Sequence, residues 1–326
     1  MKNRVLILLL FIYALPLCSS GQLVASLSQQ APPDTVKVGV YITSIHDIDF
    51  KQKEYALNLW LWLKYKNRDF NFLQNLEVPQ AKSVEKSFST IDTSGEEVYL
   101  QMKLQCVMKD SWKINQFPFD HQTLRFSIEN SQFDAKSLVY VPDTVGKHFD
   151  PRFALRGWTI DSCILSSNIK VYETGFGDES LAKPRTEYSA FRVRMVISRE
   201  ANGLFWKIFL GMYIAFLIAY VCFYIHADGM DSRFGLSVGS LFAVVGNKYI
   251  IDSSLPDSTS FTLVDTLHGI TLAFIFSVIA ATAYSLNLVK KNQLKKAYRF
   301  DMIVAQVLLF IYLILNFYFI AQARVE

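Results

Sequence analysis

Between residues 233 and 256 the chain reads RFGLSVGSLFAVVGNKYIIDSSLP, long enough to cross a bilayer and too polar to face lipid. If this stretch is a helix, Gly235, Gly239, Phe242, Gly246, Tyr249 and Ser253 lie on one side. Positions spaced alternately four and three apart share a face at about 3.6 residues per turn. Glycine inside a helix costs about 1 kcal/mol relative to alanine, so a glycine stripe needs a cause. That cause is either close helix packing, which small-xxx-small patterns commonly serve, or a wide water-filled lumen. Asn247 and Lys248 on the same segment also fit poorly in hydrocarbon. A helix of this kind is expected to be shielded by neighbours and to line a cavity, and the chemistry within its reach is the passage of ions. One copy cannot enclose a channel, so this reading needs a closed head-to-tail ring of copies.

Three other segments are apolar enough to span hydrocarbon. They are residues 204–225, with Lys207 as the one charge, 261–289, with Asp265 near its start, and the uncharged 302–323. With 233–251 they predict four crossings in a membrane domain over residues 203–326. Lys290, Lys291, Lys295, Lys296 and Arg299 fall in an expected connection of about a dozen residues between the last two spans. The positive-inside rule places that connection in the cytoplasm. The connection at residues 252–260 carries acids and no base. Residues 1–21 begin with Lys2 and Arg4, continue through an apolar run and end in small residues, the pattern of a secretory signal peptide. The expectation is a multi-pass protein of the plasma membrane, the inner membrane of a bacterium, in contact with lipid. Its N-terminal domain and its C-terminus are both expected on the outer side.

The 326 residues are 51% hydrophobic, with a net charge of +4. The basic excess is slight and forms no long run, so nucleic acid is not an expected partner. Of the cysteines, Cys18 lies in the leader and Cys222 in the first span, leaving Cys106 and Cys163 in the exported region. An oxidising compartment permits those two to pair, and the sequence leaves that open. Either way the exported domain must rely on an apolar core.

From residue 35 to 197 the dominant signal has period two. Val36, Val38, Val40 and Ile42 share one face, and Tyr55, Leu57, Leu59, Leu61 and Leu63 share another, with Trp60 and Trp62 on the reverse. Leu124, Phe126 and Ile128 repeat the pattern, as do Phe191, Val193, Met195 and Ile197. Turn-rich pieces at residues 92–97, 142–151 and 175–184 separate these runs. The predicted fold is an N-terminal β-sandwich over residues 22–202 followed by a four-helix transmembrane bundle. The last strand runs directly into the first span, which predicts rigid mechanical coupling.

Residues 112–129, WKINQFPFDHQTLRFSIE, resemble the signature loop of pentameric ligand-gated ion channels. The resemblance extends over nearly all of the mature chain. It includes Trp60 and Trp62, Arg199 before the membrane, Arg233 at the start of the polar helix, Leu255-Pro256, and Val264-Asp265. Animal members carry cysteines flanking the loop where this chain has Asp110 and Leu124. With the short final connection, that departure implies a prokaryotic member whose loop is held by Phe117 and Phe119 rather than by a bridge.

The resemblance implies a homopentamer opened by a ligand bound between subunits. It implies that the glycine stripe faces the lumen, with Phe242 as an apolar gate that blocks ions by dewetting. Tyr249 is expected to form a second ring nearer the outside. A ring of Asp231 at the inner mouth favours cations, whereas Asp231 and Asp228 as solvated loop acids beside Arg233 would confer no selectivity. The resemblance also implies a coupling set of Phe117, Pro118, Phe119, Asp120, Arg199 and Pro256, with Asp120 close to Arg199. A simpler role for Asp120 is to cap its own turn. Phe133, Tyr172, Phe176 and Tyr188 stand at the family's ligand-binding places. A small amine or protons are the expected ligand, although these rings also suit an ordinary sandwich core.

His268, inside the third span, is either a pH sensor or a neutral pin to a neighbouring helix. No HExxH, GxSxG or Walker-type loop is present. The histidines are scattered, so neither an enzyme, a cofactor nor a metal site is expected. The competing reading is a membrane-anchored receptor of the same architecture that binds ligand without conducting.

Overall fold

The computed structural model describes residues 32–152, 155–179, 183–226, 229–257 and 260–325. The expected leader at residues 1–21, Cys18 and Asp228 lie outside the described residues. Strands β1 (Asp34–Asp49), β2 (Glu54–Tyr65), β4 (Ala81–Asp92), β5 (Val98–Lys109) and β7 (Leu138–Pro142) form one sheet in the order β4-β5-β2-β1-β7. Strands β3 (Leu76–Glu77), β6 (His121–Asn130), β8 (Trp158–Tyr172) and β9 (Thr186–Arg199) form the second, in the order β3-β6-β9-β8. One helical turn, α1 (Phe72–Asn75), precedes β3.

The alternating sets named above meet between the sheets. Val36, Val38, Val40, Leu57, Leu59, Leu61 and Leu63 from one sheet, and Leu124, Phe126, Ile128, Phe191, Val193, Met195 and Ile197 from the other, are all buried. A one-residue slip of any strand would turn its apolar set outward, so burial fixes the register. Where β1 crosses β2, a Cβ at Gly39 would lie 2.3 Å from the Trp62 indole. Only glycine leaves room for that ring, whose Nε1 donates to Asp143 Oδ2 at 3.1 Å.

Cys106 and Cys163 are free thiols on β5 and β8. Burial pushes the Cys106 thiol up to about 12. The thiolate is the nucleophile, so iodoacetamide at pH 8 should leave native Cys106 unmodified while modifying half-buried Cys163 slowly. Peptide mapping before and after unfolding checks this, and rapid native labelling of Cys106 would contradict it.

The membrane domain comprises α2 (Ala201–Val221), continued by a 3₁₀ turn at Cys222–Tyr224, then α3 (Met230–Asp252), α4 (Leu263–Lys290) and α5 (Leu294–Val325). All four helices are long and apolar enough to cross a membrane, and the chain is a multi-pass membrane protein. A capping box of Thr262 and Asp265 starts α4. Each satisfies a backbone N–H that has no partner within the helix. The expected dozen-residue linker before the last span is instead Lys291–Gln293. Hydropathy marks only the apolar part of α5, but lysine and arginine are good helix formers, so the helix continues through its charged end. At 32 residues and about 1.5 Å per residue, α5 overhangs a hydrocarbon layer of about 30 Å.

Candidate functional site

On α3, Arg233, Ser237, Ser240, Val244 and Ile251 are buried against the bundle. The stripe Gly235, Gly239, Phe242, Gly246 and Tyr249 lies on the opposite side, with Phe242 68% and Tyr249 74% exposed on the protomer. A Cβ at Gly235, Gly239 or Gly246 would meet nothing within 4 Å. Helix packing within the subunit therefore does not account for these glycines. Asp231 is exposed one turn before Gly235 and continues the stripe, and Ser253 caps the other end of the helix.

The polarity of α3 divides into two uses. The bundle-facing hydroxyls of Ser237 and Ser240 donate to Arg233 O at 2.9 Å and Leu236 O at 2.8 Å, respectively. Arg233 turns inward, away from the stripe, and pairs with Asp301 of α5 at 2.8 Å. Lys248 is held by Asp252 at 2.6 Å and Asp265 at 2.7 Å. His268 is fully buried, with Nδ1 2.8 Å from Val264 O and Nε2 3.0 Å from the Asn247 side-chain amide, and so joins α4 to α3.

The loop before β6 packs onto the outer ends of the helices. Ile114 and Phe117 are buried in the same apolar cluster as Phe205, Phe209, Val264 and Leu267, and the Phe119 and Phe205 rings lie 5.6 Å apart. Leu263 N donates to Asn115 O at 2.8 Å, tying the loop to the start of α4. Pro118 follows Phe117 through a cis peptide, and Pro256 is buried beyond the end of α3.

Arg199, the last residue of β9, donates from Nε and Nη2 to the two carboxylate oxygens of Asp120 at 2.7 and 3.1 Å. Its guanidinium also stacks on Trp158 at 4.1 Å, Phe50 at 4.7 Å and Phe117 at 4.9 Å. One residue, Glu200, separates this cluster from α2. The β1–β2 hairpin reaches the end of α3, where Lys51 Nζ donates to Ser253 O at 3.3 Å. A cavity of about 470 Å³ lies there, lined in part by Phe50, Phe117, Arg199 and Leu255. From α5, Arg324 stacks on Phe119 at 4.8 Å.

In the β domain, Tyr172, Phe176 and Tyr188 form one cluster with ring centroids 5.5–6.3 Å apart. Phe176 sits in the connection after β8 with a positive φ of 49°, a conformation rare for a bulky residue. Phe133 stands elsewhere, packed edge-on against Phe70 at 4.8 Å and onto the sandwich core. Two residues without a signal in the alternation complete the cluster. Glu129 is buried and accepts from Tyr172 Oη at 2.7 Å and from Lys170 Nζ at 3.1 Å. The Lys170 ammonium also lies 4.6 Å from the Tyr172 ring centroid. Burial acts to lower the Lys170 pKa, but its bonds to Tyr172 and Glu129 outweigh that and hold it above the ordinary lysine value.

No protein-family model matches the chain. A proton-gated ion channel of Gloeobacter violaceus is 21% identical over 271 residues, covering 76% of this chain and 71% of that protein. A glutamate-gated chloride channel of Drosophila melanogaster is 22% identical over 188 residues, covering 56% of this chain and 37% of that protein. The sheet-rich domain followed by four membrane-capable helices, together with these similarities, matches the architecture of pentameric ligand-gated ion channels.

The loop resemblance puts Asp110 and Leu124 where animal channels carry cysteines. Leu124 is buried in the sandwich core, and Asp110 pairs with Arg125, the next residue along β6, at 3.2 Å. Burial raises the Asp110 pKa despite that arginine. An ion pair thus stands beside the place of a disulfide, in addition to the packing of Phe117 and Phe119. Sequence reasoning missed Asp301, Arg324, Glu129 and Lys170, each of which acts on a distant element.

Proposed function

We propose that the chain is the subunit of a homopentameric, cation-selective channel of a bacterial inner membrane. Its β domain and C-terminus face outward, and a small ligand bound between β domains opens the pore. Within this reading Gly235, Gly239, Phe242, Gly246, Tyr249 and Ser253 line the pore, with Phe242 as the gate. Tyr172, Phe176 and Tyr188 receive the ligand, while Phe133 packs on Phe70 and the sandwich core, away from that cluster. Phe117, Pro118, Phe119, Asp120, Arg199 and Pro256 carry the movement to the helices.

The observation that carries cation selectivity is the disposition of charge on α3. Arg233 is paired inside the bundle and Lys248 is held by two acids, which leaves Asp231 as the charge on the glycine stripe. A carboxylate ring at a narrow mouth draws cations and repels anions. The Drosophila relative is a chloride channel, so similarity alone does not set the sign of the permeating ion.

The test is current through planar bilayers holding the purified protein under a potassium chloride gradient, with acid and organic ammonium ions as trial ligands. The reversal potential should lie toward the potassium equilibrium potential, and Asp231→Lys should move it toward that of chloride. A chloride-like reversal in the unmodified protein rejects Asp231 as the filter. Ligand binding without any current supports the non-conducting receptor.

Five Phe242 rings would close the axis with apolar surface, and a hydroxyl at that place would admit water. Phe242→Ser should therefore give current without ligand or an altered ligand sensitivity. An unchanged closed state rejects a gate at this position.

A further inference from the structure

Glu129 is 3% exposed, and its carboxylate meets the aromatic cluster at the Tyr172 hydroxyl. A buried carboxylate bonded to one ring of an aromatic cluster suits an organic cation, which gains from the charge and from the π-systems together. Both carboxylate oxygens are already engaged, however. Tyr172 Oη holds Oε2 at 2.7 Å, and Lys170 Nζ holds Oε1 at 3.1 Å while lying 4.6 Å from the Tyr172 ring centroid. The nearby acid Glu187 is engaged by Arg185 at 2.7 Å, and Glu77, opposite Glu129 in the β3–β6 register, is exposed, so Glu129 is the buried carboxylate bonded to this cluster. The β8–β9 register explains the arrangement: Lys170 lies opposite Tyr188 and Tyr172 opposite Thr186, so Lys170 and Tyr172 project on the same face.

We propose that Lys170 is a tethered occupant of the ligand seat, so that an organic ammonium ligand binds only by displacing the protein's own ammonium from Glu129 and Tyr172. This inference rests on the reading of Tyr172, Phe176 and Tyr188 as the ligand site, and deepens it by naming the ligand class and the residue that tunes affinity. Lys170 competes from within the subunit, so its effective concentration is of millimolar order or higher and does not dilute. A seat open in only a tenth of molecules weakens apparent affinity about tenfold. The favoured ligand is therefore an ammonium whose substituents also contact Phe176 and Tyr188, because those rings offer surface that Lys170 does not use.

The test is calorimetric titration of the intact detergent-solubilised pentamer with tetramethylammonium, a fixed-charge probe. Lys170→Met should bind the probe at least about tenfold more tightly than the unmodified protein. Lys170→Arg, which keeps a tethered cation, should not. Adding Glu129→Gln to Lys170→Met should abolish the gain. Size-exclusion profiles confirm that each variant remains assembled. If Lys170→Met and the unmodified protein bind equally while Tyr188→Ala weakens both, the aromatic site stands and the tethered occupant is overturned. If Tyr188→Ala changes binding in neither background, the aromatic cluster is not the ligand site and the inference falls with that reading.

Discussion

Pentamers of the Asp120→Ala variant form normally but no longer open in response to acid or organic ammonium ions. The carboxylate removed is 2% exposed and its partner Arg199 11%. Losing one member of a buried ion pair costs about 3–5 kcal/mol, chiefly because the other charge is left unpaired. The stacking on Trp158, Phe50 and Phe117 retains part of the guanidinium's stabilisation, so the lower end of that range applies. Even so, the loss is comparable to the few kcal/mol that separate two states of a switching protein.

Position makes this cost a matter of gating more than of assembly. Asp120 closes the loop that packs against Phe205 and Leu263, and Arg199 ends the strand that runs into α2. Gln122 ties the same carboxylate to the loop backbone, donating to Asp120 Oδ2 and to Lys113 O, both at 2.7 Å. The pair therefore joins the loop resting on the helices to the strand that pulls on them. Current recorded beside a size-exclusion profile separates the two effects. Asp120→Glu should keep part of the response, and Asp120→Asn with Arg199→Gln should be far from additive. A normal dose response in Asp120→Ala pentamers overturns the coupling role.

The legibility of this chain follows from how far each signal travels. Strands buried on one face announce themselves by alternation, which is why β1, β2, β6 and β9 could be placed from Val36, Leu57, Leu124 and Phe191 and their repeats. Strand β4 shows no such pattern because it is a sheet edge whose residues are nearly all exposed. The spans were legible because hydrocarbon imposes a length, but α5 outran its apolar segment once helix propensity carried it through Lys295 and Arg299.

Pairings across elements were legible only where the resemblance supplied them, as for Asp120 with Arg199. Nothing in the periodicity brings Arg233 to Asp301, Glu129 to Lys170, or Arg324 to Phe119. Alternation tells which way a side chain points, and not which partner waits there. Likewise the resemblance named Phe133 among the ligand residues, and no periodicity signals that its ring packs on Phe70.

The Arg233–Asp301 pair carries the largest expected effect on stability. Both side chains are almost fully buried, at 2% and 1% exposure. The Arg233 guanidinium also donates to Ile225 O, and Ser285 Oγ donates to Asp301 Oδ2 at 2.9 Å. These contacts pin the start of α3 to α4, α5 and the end of the 3₁₀ turn, and they hold the arginine away from the glycine stripe. Asp301→Ala leaves a guanidinium buried without its counter-charge, a loss of about 3–5 kcal/mol, and should sharply lower the melting temperature of the detergent-solubilised pentamer.

Replacing both partners distinguishes an unpaired charge from a lost contact. A well-packed apolar pair of similar volume is often neutral or better than a buried ion pair, so Arg233→Met with Asp301→Leu should recover most of the stability lost in Asp301→Ala. The double variant should also keep its cation preference if Asp231 alone sets the sign. If the double variant is as unstable as Asp301→Ala, the geometry of the pair matters more than its charge balance. If it conducts with altered selectivity, Arg233 influences the pore from inside the bundle.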